Sequence, residues 1–156
     1  MNHFDILINL RKTVPLATAT NEVSFSCFDL WVNNLENGTR KESNLKGVPV
    51  LRGILEEFLK RLKDHKDIVN EQVNSALVEV KKRADEDVAE YKKSYENRLI
   101  AAKEGMWNSE EFYDLFHTGE RYSREINAIF DAEIKRMDEF IERLNRLEGK
   151  LKSELS

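Results

Sequence analysis

The sequence predicts an all-α protein built as an extended antiparallel helical hairpin, and three observations lead to this prediction. No Gly or Pro interrupts the stretch from Ile54 to Glu104. Apolar residues recur along that stretch about every 3.7 residues, the spacing of one buried helix face. A second apolar pattern of helical spacing runs from Glu120 towards the end of the chain. Two long helices joined by a short connection become antiparallel neighbours.

The first long helix is expected to begin at Pro49 and to end at Gly105. Proline is tolerated in a first helical turn, where its missing N–H would have no partner anyway. The apolar spacing is closer to an eleven-residue repeat than to a heptad, which favours straight packing over a left-handed supercoil. The apolar stripe changes from Leu and Phe before residue 70 to Ala, Val and Tyr after it. Only one narrow face of the second half can therefore be buried.

After this helix, the sequence predicts a turn, a short helix that ends near His117, a break at Thr118-Gly119, and a last helix from Glu120. Two helices alone bury one face each and make a poor core for a chain of this length. We therefore expect self-association, most simply as a homodimer along a coiled-coil seam on the last helix, with docking on a larger partner as the alternative. The seam consists of apolar residues seven positions apart: Phe130, Met137, Leu144 and Leu151.

For the chain before the hairpin, the sequence predicts a small helical segment and loop over residues 1–47. This segment is expected to pack on one end of the hairpin, which comprises residues 48–156. All of it is expected to be one folding unit. A helix from His3 to Val14 is favoured over a strand because no partner strand lies nearby. Pro15 should end that helix, because a proline disfavours helical geometry at the residue that precedes it.

A second helix of this segment is expected from Asn21, acting as N-cap, to Asn37, with Gly38 in the left-handed position that ends many helices. The alternating residues from Val23 to Cys27 leave a strand as the alternative. The polar residues 39–47 are expected to form an exposed loop. The side chains expected in a small core against the first long helix are Phe28, Trp31 and Phe58.

Charge and composition argue against several classes of partner. The chain is 35% charged, and its 25 basic and 29 acidic residues are interspersed, so no strong field of one sign results. A nucleic-acid partner is therefore not expected, although a nucleic-acid accessory role remains a third hypothesis. It would depend on two basic clusters, which are Lys60, Arg61, Lys63 and Lys66, and Lys81, Lys82 and Arg83.

The single cysteine and the lack of targeting features predict a cytoplasmic protein. Cys27 has no second cysteine with which to form an intrachain disulfide, which is typical of a reducing compartment. No run of eighteen apolar residues predicts a membrane span, and Asp5 interrupts the apolar residues near the first methionine. We expect no contact with a membrane.

The strongest hint of metal chemistry is the pair Asp114 and His117, one helical turn apart. It resembles half of a carboxylate-bridged metal site, which needs a matching motif on a second helix. That second motif is missing, and no phosphate loop, zinc spacing or nucleophile elbow occurs. We expect no enzyme and no cofactor, with a metal-dependent helical-bundle enzyme as the alternative. His65 is interpreted as a stripe residue near solvent, and Cys27 as a small core residue.

The most informative functional feature is a group of aromatic residues around the predicted turn. A two-helix end has little interior in which to hide them, and Trp and Tyr dominate the energetics of protein interfaces. The hypothesis is a non-enzymatic adaptor, scaffold or inhibitor that binds another protein through this tip, with a local mini-core as the alternative. The residues of the tip are Trp107, Phe112, Tyr113, Phe116 and Tyr122.

Overall fold

The computed structural model describes residues 3–94 and 99–156, with side chains described for residues 5–90, 93 and 113–156. Four helices follow one another in these ranges: α1 (His3–Ala19), α2 (Asn21–Asn37), α3 (Lys41–Ser94) and α4 (Leu99–Leu155). No strand occurs in the part of the chain that is described. The all-α class is therefore confirmed, and the strand alternatives for the N-terminal segments are wrong.

The chain divides into two compact units. Unit 1 comprises Met1–Val14 and Asp67–Asn127, and unit 2 comprises Pro15–Lys66 and Ala128–Ser156. Each unit thus contains parts of both long helices and a third helical segment, α1 in unit 1 and α2 in unit 2. The expected boundary at residue 48 does not coincide with this division, and folding of the whole chain as one unit stays a prediction.

The core of unit 2 lies between α2, the first part of α3 and the last part of α4. The ring of Phe58 packs edge-on against Phe25 and Phe28, with ring centroids 5.8 and 5.1 Å apart. Burying such side chains contributes roughly 1.5–3 kcal/mol each. The buried residues of this core are Phe25, Phe28, Val32, Val48, Leu51, Leu55, Leu62, Met137, Phe140, Leu144, Leu147 and Leu151.

Ion pairs on the rim of unit 2 define the directions of its helices. Lys41 pairs with Glu154 at 2.9 Å and Lys66 with Asp131 at 2.6 Å, so α3 and α4 run antiparallel here. Arg52 donates to Glu148 at 3.1 Å between them. These contacts place the first part of α3 against the last part of α4.

Unit 1 is built around the second part of α3, with α1 and the middle of α4 against it. Among the described side chains of α1, Leu7 and Val14 are the buried apolar ones. Arg11 donates to Glu125 at 2.9 Å, and its guanidinium lies 4.6 Å from the ring centre of Tyr122. The remaining buried apolar residues among the side chains of this unit that the structure describes are Val69, Val73, Ala76, Val80, Ala84 and Ile126.

A polar pair joins α3 and α4 inside unit 1. The Asn70 amide donates to Asn127 at 2.8 Å, and the Asn127 amide donates back to Asn70 at 2.9 Å. Both groups are partly buried, and Asn127 also donates to the carbonyl of Ser123. Because only one helix register brings the two amides together, the pair fixes the alignment of α3 with α4 in this unit.

Four expected element boundaries are wrong. α1 continues through Pro15 to Ala19, and α3 begins at Lys41 rather than at Pro49. The first long helix ends at Ser94, and Leu99 already belongs to α4, while residues 95–98 lie outside the described residues. The short helix and break near Gly119 do not exist, because α4 is continuous from Leu99 to Leu155.

Glycine led to wrongly predicted helix boundaries, because here it marks the close packing of helices and not the end of a helix. A Cβ at Gly119 would lie 2.6 Å from Leu77 Cδ2 and 2.8 Å from Leu7 Cδ1. A Cβ at Gly47, in the expected loop, would lie 3.1 Å from Leu35 Cδ2. A helical glycine costs only about 0.5–1 kcal/mol, which is a small cost where two helices must approach each other closely.

The ends of α2 also differ in detail from the prediction, although its range is confirmed. Thr20 occupies the N-cap position without a side-chain capping bond, and the Asn21 amide donates instead to Glu133 at 3.1 Å. Gly38 is extended, with φ of −68°, and not left-handed. Phe28 is buried and Phe58 packs on the core as expected, whereas Trp31 is 42% exposed.

Replacing Gly119 by alanine tests its packing role. Leu7 is fully buried and would have to shift to make room for a new methyl group, so Gly119→Ala should lower the free energy of unfolding by about 1 kcal/mol. Gly149→Ala is the matched control, since no described atom of the rest of the chain lies within 4 Å of its Cβ position. The control should gain about 0.5–1 kcal/mol. Urea unfolding measures both, and equal gains would contradict the packing role.

The Arg52–Glu148 pair predicts a pH dependence. The hydrogen bond from Arg52 holds the pKa of Glu148 below its usual value near 4.5. A carboxyl group whose pKa is lower in the folded than in the unfolded state stabilises the fold at a pH above the unfolded-state pKa. This contribution is lost as the pH falls through the folded-state pKa. Glu148→Gln should therefore destabilise the protein at pH 7 and have less effect at about pH 3. Urea midpoints of both proteins check this, and an equal difference at both pH values would contradict it.

Candidate functional site

The predicted aromatic tip is not at a turn. All five of its residues lie within α4, which begins earlier, at Leu99. The side chains of Trp107 and Phe112 lie outside the described residues. Tyr113 donates to Asp85 at 3.0 Å, and this bond to a carboxylate raises the pKa of the Tyr113 hydroxyl.

The other described members of the aromatic group also make contacts inside the chain. Tyr122 is half-buried beneath the guanidinium of Arg11. Phe116 is half-buried, and its ring centre lies 5.7 Å from that of His117. The expected location at a hairpin end is thus corrected, and the binding of a partner by these residues stays a prediction.

The four residues of the predicted self-association seam are buried within the chain. Phe130, Met137 and Leu144 have no exposed surface, and Leu151 is 5% exposed. The last three belong to the core of unit 2, and the Phe130 ring lies edge-on to His65 at 5.2 Å. Self-association through this seam stays a prediction, and it would have to replace the contacts within unit 2 by contacts with a second copy.

The residues of the predicted metal alternative are not assembled around a common point. His117 Nδ1 lies 3.1 Å from Glu120 Oε1, and Asp114 is exposed. No cluster of three His, Cys, Asp or Glu side chains that could hold a metal ion occurs among the described residues. His65 is exposed, as expected of a stripe residue near solvent, whereas Cys27 is only half-buried.

The two basic clusters are partly neutralised by acidic neighbours. In the first, Arg61 pairs with Glu57 at 2.8 Å and Lys66 with Asp131. In the second, Arg83 lies 3.5 Å from Glu79.

Within the described residues, none of the helices combines the length and the apolar character that crossing a membrane requires.

The surface feature that distinguishes unit 2 is a groove between α2 and α3, here called the α2–α3 groove. Its volume is about 520 Å³. Three large apolar side chains of its lining remain exposed to solvent: Trp31 (42%), Val50 (67%) and Ile54 (47%). The described residues that line it are Trp31, Asn34, Leu35, Asn44, Gly47, Val50, Leu51 and Ile54.

The groove arises because the apolar stripes of α2 and α3 are wider than the core of unit 2. Val50 and Ile54 each precede a buried leucine, Leu51 or Leu55, by one residue. One residue along a helix is a turn of about 100°, which carries the side chain from the core to the surface. Trp31 precedes the buried Val32 in the same way. Each helix therefore presents apolar side chains both to the core of unit 2 and to the surface beside it.

Among the described residues that line the groove there is no ionisable side chain, although 35% of the chain is charged. Between Val23 and Leu35 of α2, Asp29 is the only charged residue. Its carboxylate accepts a hydrogen bond from Arg143 of α4 at 3.1 Å. The one charged group of this part of α2 is thus directed towards α4 and away from α3.

Arg143 holds three side chains of α2 at once. It donates to Asp29, to Asn33 at 2.7 Å and to Glu36. The bond to Glu36 is the main reason why the pKa of Arg143 is raised further above its already high value. One guanidinium therefore orients α2 so that Trp31 lies on the side facing α3.

A second depression lies between α1 and α3 in unit 1 and has a different character. Its volume is about 620 Å³. Polar and acidic side chains, including Glu71 and Gln72, form much of its wall, and its apolar residues Ile6 and Leu10 are half-buried. The α2–α3 groove is therefore the more apolar and more exposed of the two surfaces.

The groove was not predicted from the sequence, because apolar residues at helical spacing were all assigned to the core. The available signal was the second line of apolar residues, Val50 and Ile54, four positions apart and offset by one from the main stripe. Trp31 was assigned to the core on its helical spacing alone.

No protein-family model, curated protein or solved structure matches the chain.

Proposed function

We propose that this protein is a non-enzymatic interaction protein, an adaptor, scaffold or inhibitor, that binds protein surfaces through the α2–α3 groove. One observation carries the proposal: the groove combines exposed Trp31, Val50 and Ile54 with a lining whose described residues include no ionisable side chain. Soluble proteins seldom leave large apolar groups together on a surface unless a partner covers them.

The composition of the groove fits a protein partner. Interface centres are depleted of charged residues and enriched in aromatic ones, and tryptophan is the residue that most often dominates binding energy. A groove between two helices accepts the apolar face of a further helix. The exposed amide of Asn34 lies in the lining and can both donate and accept hydrogen bonds, whereas the amide of Asn44 already donates to the carbonyl of Leu35 at 3.0 Å.

The proposal includes the extended antiparallel hairpin expected from the sequence. The antiparallel contacts of α3 with α4 inside each unit support it. The aromatic group of α4 is proposed as a secondary surface, since Tyr113 and Tyr122 already make contacts within unit 1. The cytoplasm is the proposed location.

Site-specific photo-crosslinking in the native cells tests the proposal. A photoreactive amino acid at Val50 should give adducts with a protein, identified by mass spectrometry. The matched control is the same amino acid at Val78 of unit 1, which is 68% exposed against 67% for Val50. Equal labelling at both positions, or none at Val50, would contradict the proposal.

The contribution of Trp31 is a second test with a purified partner. Trp31→Ala should raise the dissociation constant about thirtyfold, which corresponds to about 2 kcal/mol for a tryptophan at an interface centre. The side chain is 42% exposed, so the variant should keep its helix content by circular dichroism. Val78→Ala should leave the affinity within about twofold. A folded Trp31→Ala protein with unchanged affinity would rule out the groove as the binding face.

A further inference from the structure

We infer that the partner in the α2–α3 groove is a second copy of this chain, bound across a two-fold axis with the two α3 helices antiparallel. This rests on the proposed function, because it names the partner of the same face. Cyclic dimers are the commonest assemblies of soluble proteins.

The chemistry of the groove suits self-association. A two-fold interface places the same patch on both sides, so an ionised group near the axis would meet its own like charge. The polar side chains of the lining are instead the indole of Trp31, the exposed amide of Asn34, and the amide of Asn44, which already donates to the carbonyl of Leu35 at 3.0 Å. An amide has both donors and acceptors and can pair with its own kind, as Asn70 and Asn127 do within unit 1.

Gly53 provides a second, independent argument. It lies inside α3, on an exposed part of the helix, and no described atom of the rest of the chain lies within 4 Å of its Cβ position. Glycine weakens a helix interior, and no packing contact within unit 2 requires it here. The missing side chain instead lets the backbone of another helix approach α3 beside Val50 and Ile54.

The charges around the groove match an antiparallel second copy. Lys46 precedes Val50 by four residues, and Glu57 follows Ile54 by three, so the two residues lie near one face of the helix. Both are exposed, and they are equally distant from the point between Leu51 and Arg52. A two-fold axis at that point sets Lys46 of each copy opposite Glu57 of the other.

The same arrangement extends one turn further in both directions. Arg61, which pairs with Glu57 across an exposed surface, would face Glu42 of the second copy. A parallel arrangement of the two α3 helices would instead place Lys46 opposite Lys46 and Glu57 opposite Glu57. Among the described side chains, Lys46 has no ion-pair partner of its own.

Sedimentation equilibrium of the full chain is the first test. The mass should rise with concentration from 18.3 kDa to twice that value and no further. A constant mass of 18.3 kDa up to millimolar concentration would overturn the inference, as would association beyond two copies.

Variants of matched exposure then locate the interface. Val50→Glu buries two carboxylates near the axis and should raise the dimer dissociation constant about a hundredfold or more. Val78→Glu, at an equally exposed position of unit 1, should change it less than about twofold. A dimer that resists Val50→Glu would show that another surface mediates self-association.

Charge reversal tests the antiparallel arrangement. Lys46→Glu and Glu57→Lys should each raise the dissociation constant about threefold to tenfold, since exposed ion pairs are weak but each occurs twice in the dimer. The double variant restores opposite charges and should return the constant to within about twofold of the original. A double variant weaker than either single variant would overturn this arrangement.

Gly53→Ala separates helix stability from association. It should raise the melting temperature of the monomer by about 2 °C while weakening the dimer, whereas Gly149→Ala should stabilise without changing the dimer. A Gly53→Ala dimer of unchanged affinity would contradict the close approach of the two α3 helices.

The outcome also distinguishes this inference from the proposed function. A monomeric chain whose Val50 position still crosslinks to a different protein would overturn the second copy and leave the proposed function standing. The absence of any adduct at Val50, in a chain that stays monomeric, would overturn both.

Discussion

The structure depends on a third helical segment covering the two long helices in each unit. Two helices packed only on each other bury one face each, which leaves much apolar surface in water. In unit 1 this segment is α1, with Leu7 and Val14 buried. In unit 2 it is α2, whose Phe25, Phe28 and Val32 complete a core with α3 and α4. The long helices can therefore carry charge over most of their remaining surface.

The position of α2 also determines where the candidate binding face lies. Arg143 of α4 holds the polar side of α2 through Asp29, Asn33 and Glu36. The opposite flank of α2 is left with Trp31 beside Val50 and Ile54 of α3. The interactions that orient α2 thus also keep the α2–α3 groove uncharged. The same groove can serve a protein partner because nothing in it has to lose a hydrated charge on binding.

The parts of the fold that were predictable are those where periodicity and turn chemistry agree. The range of α2 and the buried stripe from Leu51 to Val69 belong to this group. Glycine was ambiguous, because the same residue ends some helices and permits close packing inside others, as at Gly119. Which of the two applies depends on Leu7 and Leu77, residues far away in the sequence.

The candidate site was less predictable than the fold. Helical spacing indicates which face of a helix is apolar, but the width of that face covered by neighbours depends on their packing. Trp31 therefore looked like a core residue, and the apolar line that begins at Val50 could be recognised as exposed only once Leu51 was known to lie at the edge of the core. The heptad of Phe130, Met137 and Leu144 was a genuine apolar seam, and its immediate neighbours prove to be helices of the same chain.

Hydrogen–deuterium exchange at increasing protein concentration tests most directly the central claim, that a second copy of the chain binds in the α2–α3 groove. The account predicts that amides near Trp31 on α2 and from Gly47 to Glu57 on α3 exchange more slowly as the concentration rises. Amides around Val78 should exchange at a constant rate, since that exposed region is outside the groove. Exchange near Trp31 and Val50 that does not depend on concentration, with or without protection elsewhere, would contradict a second copy in the groove.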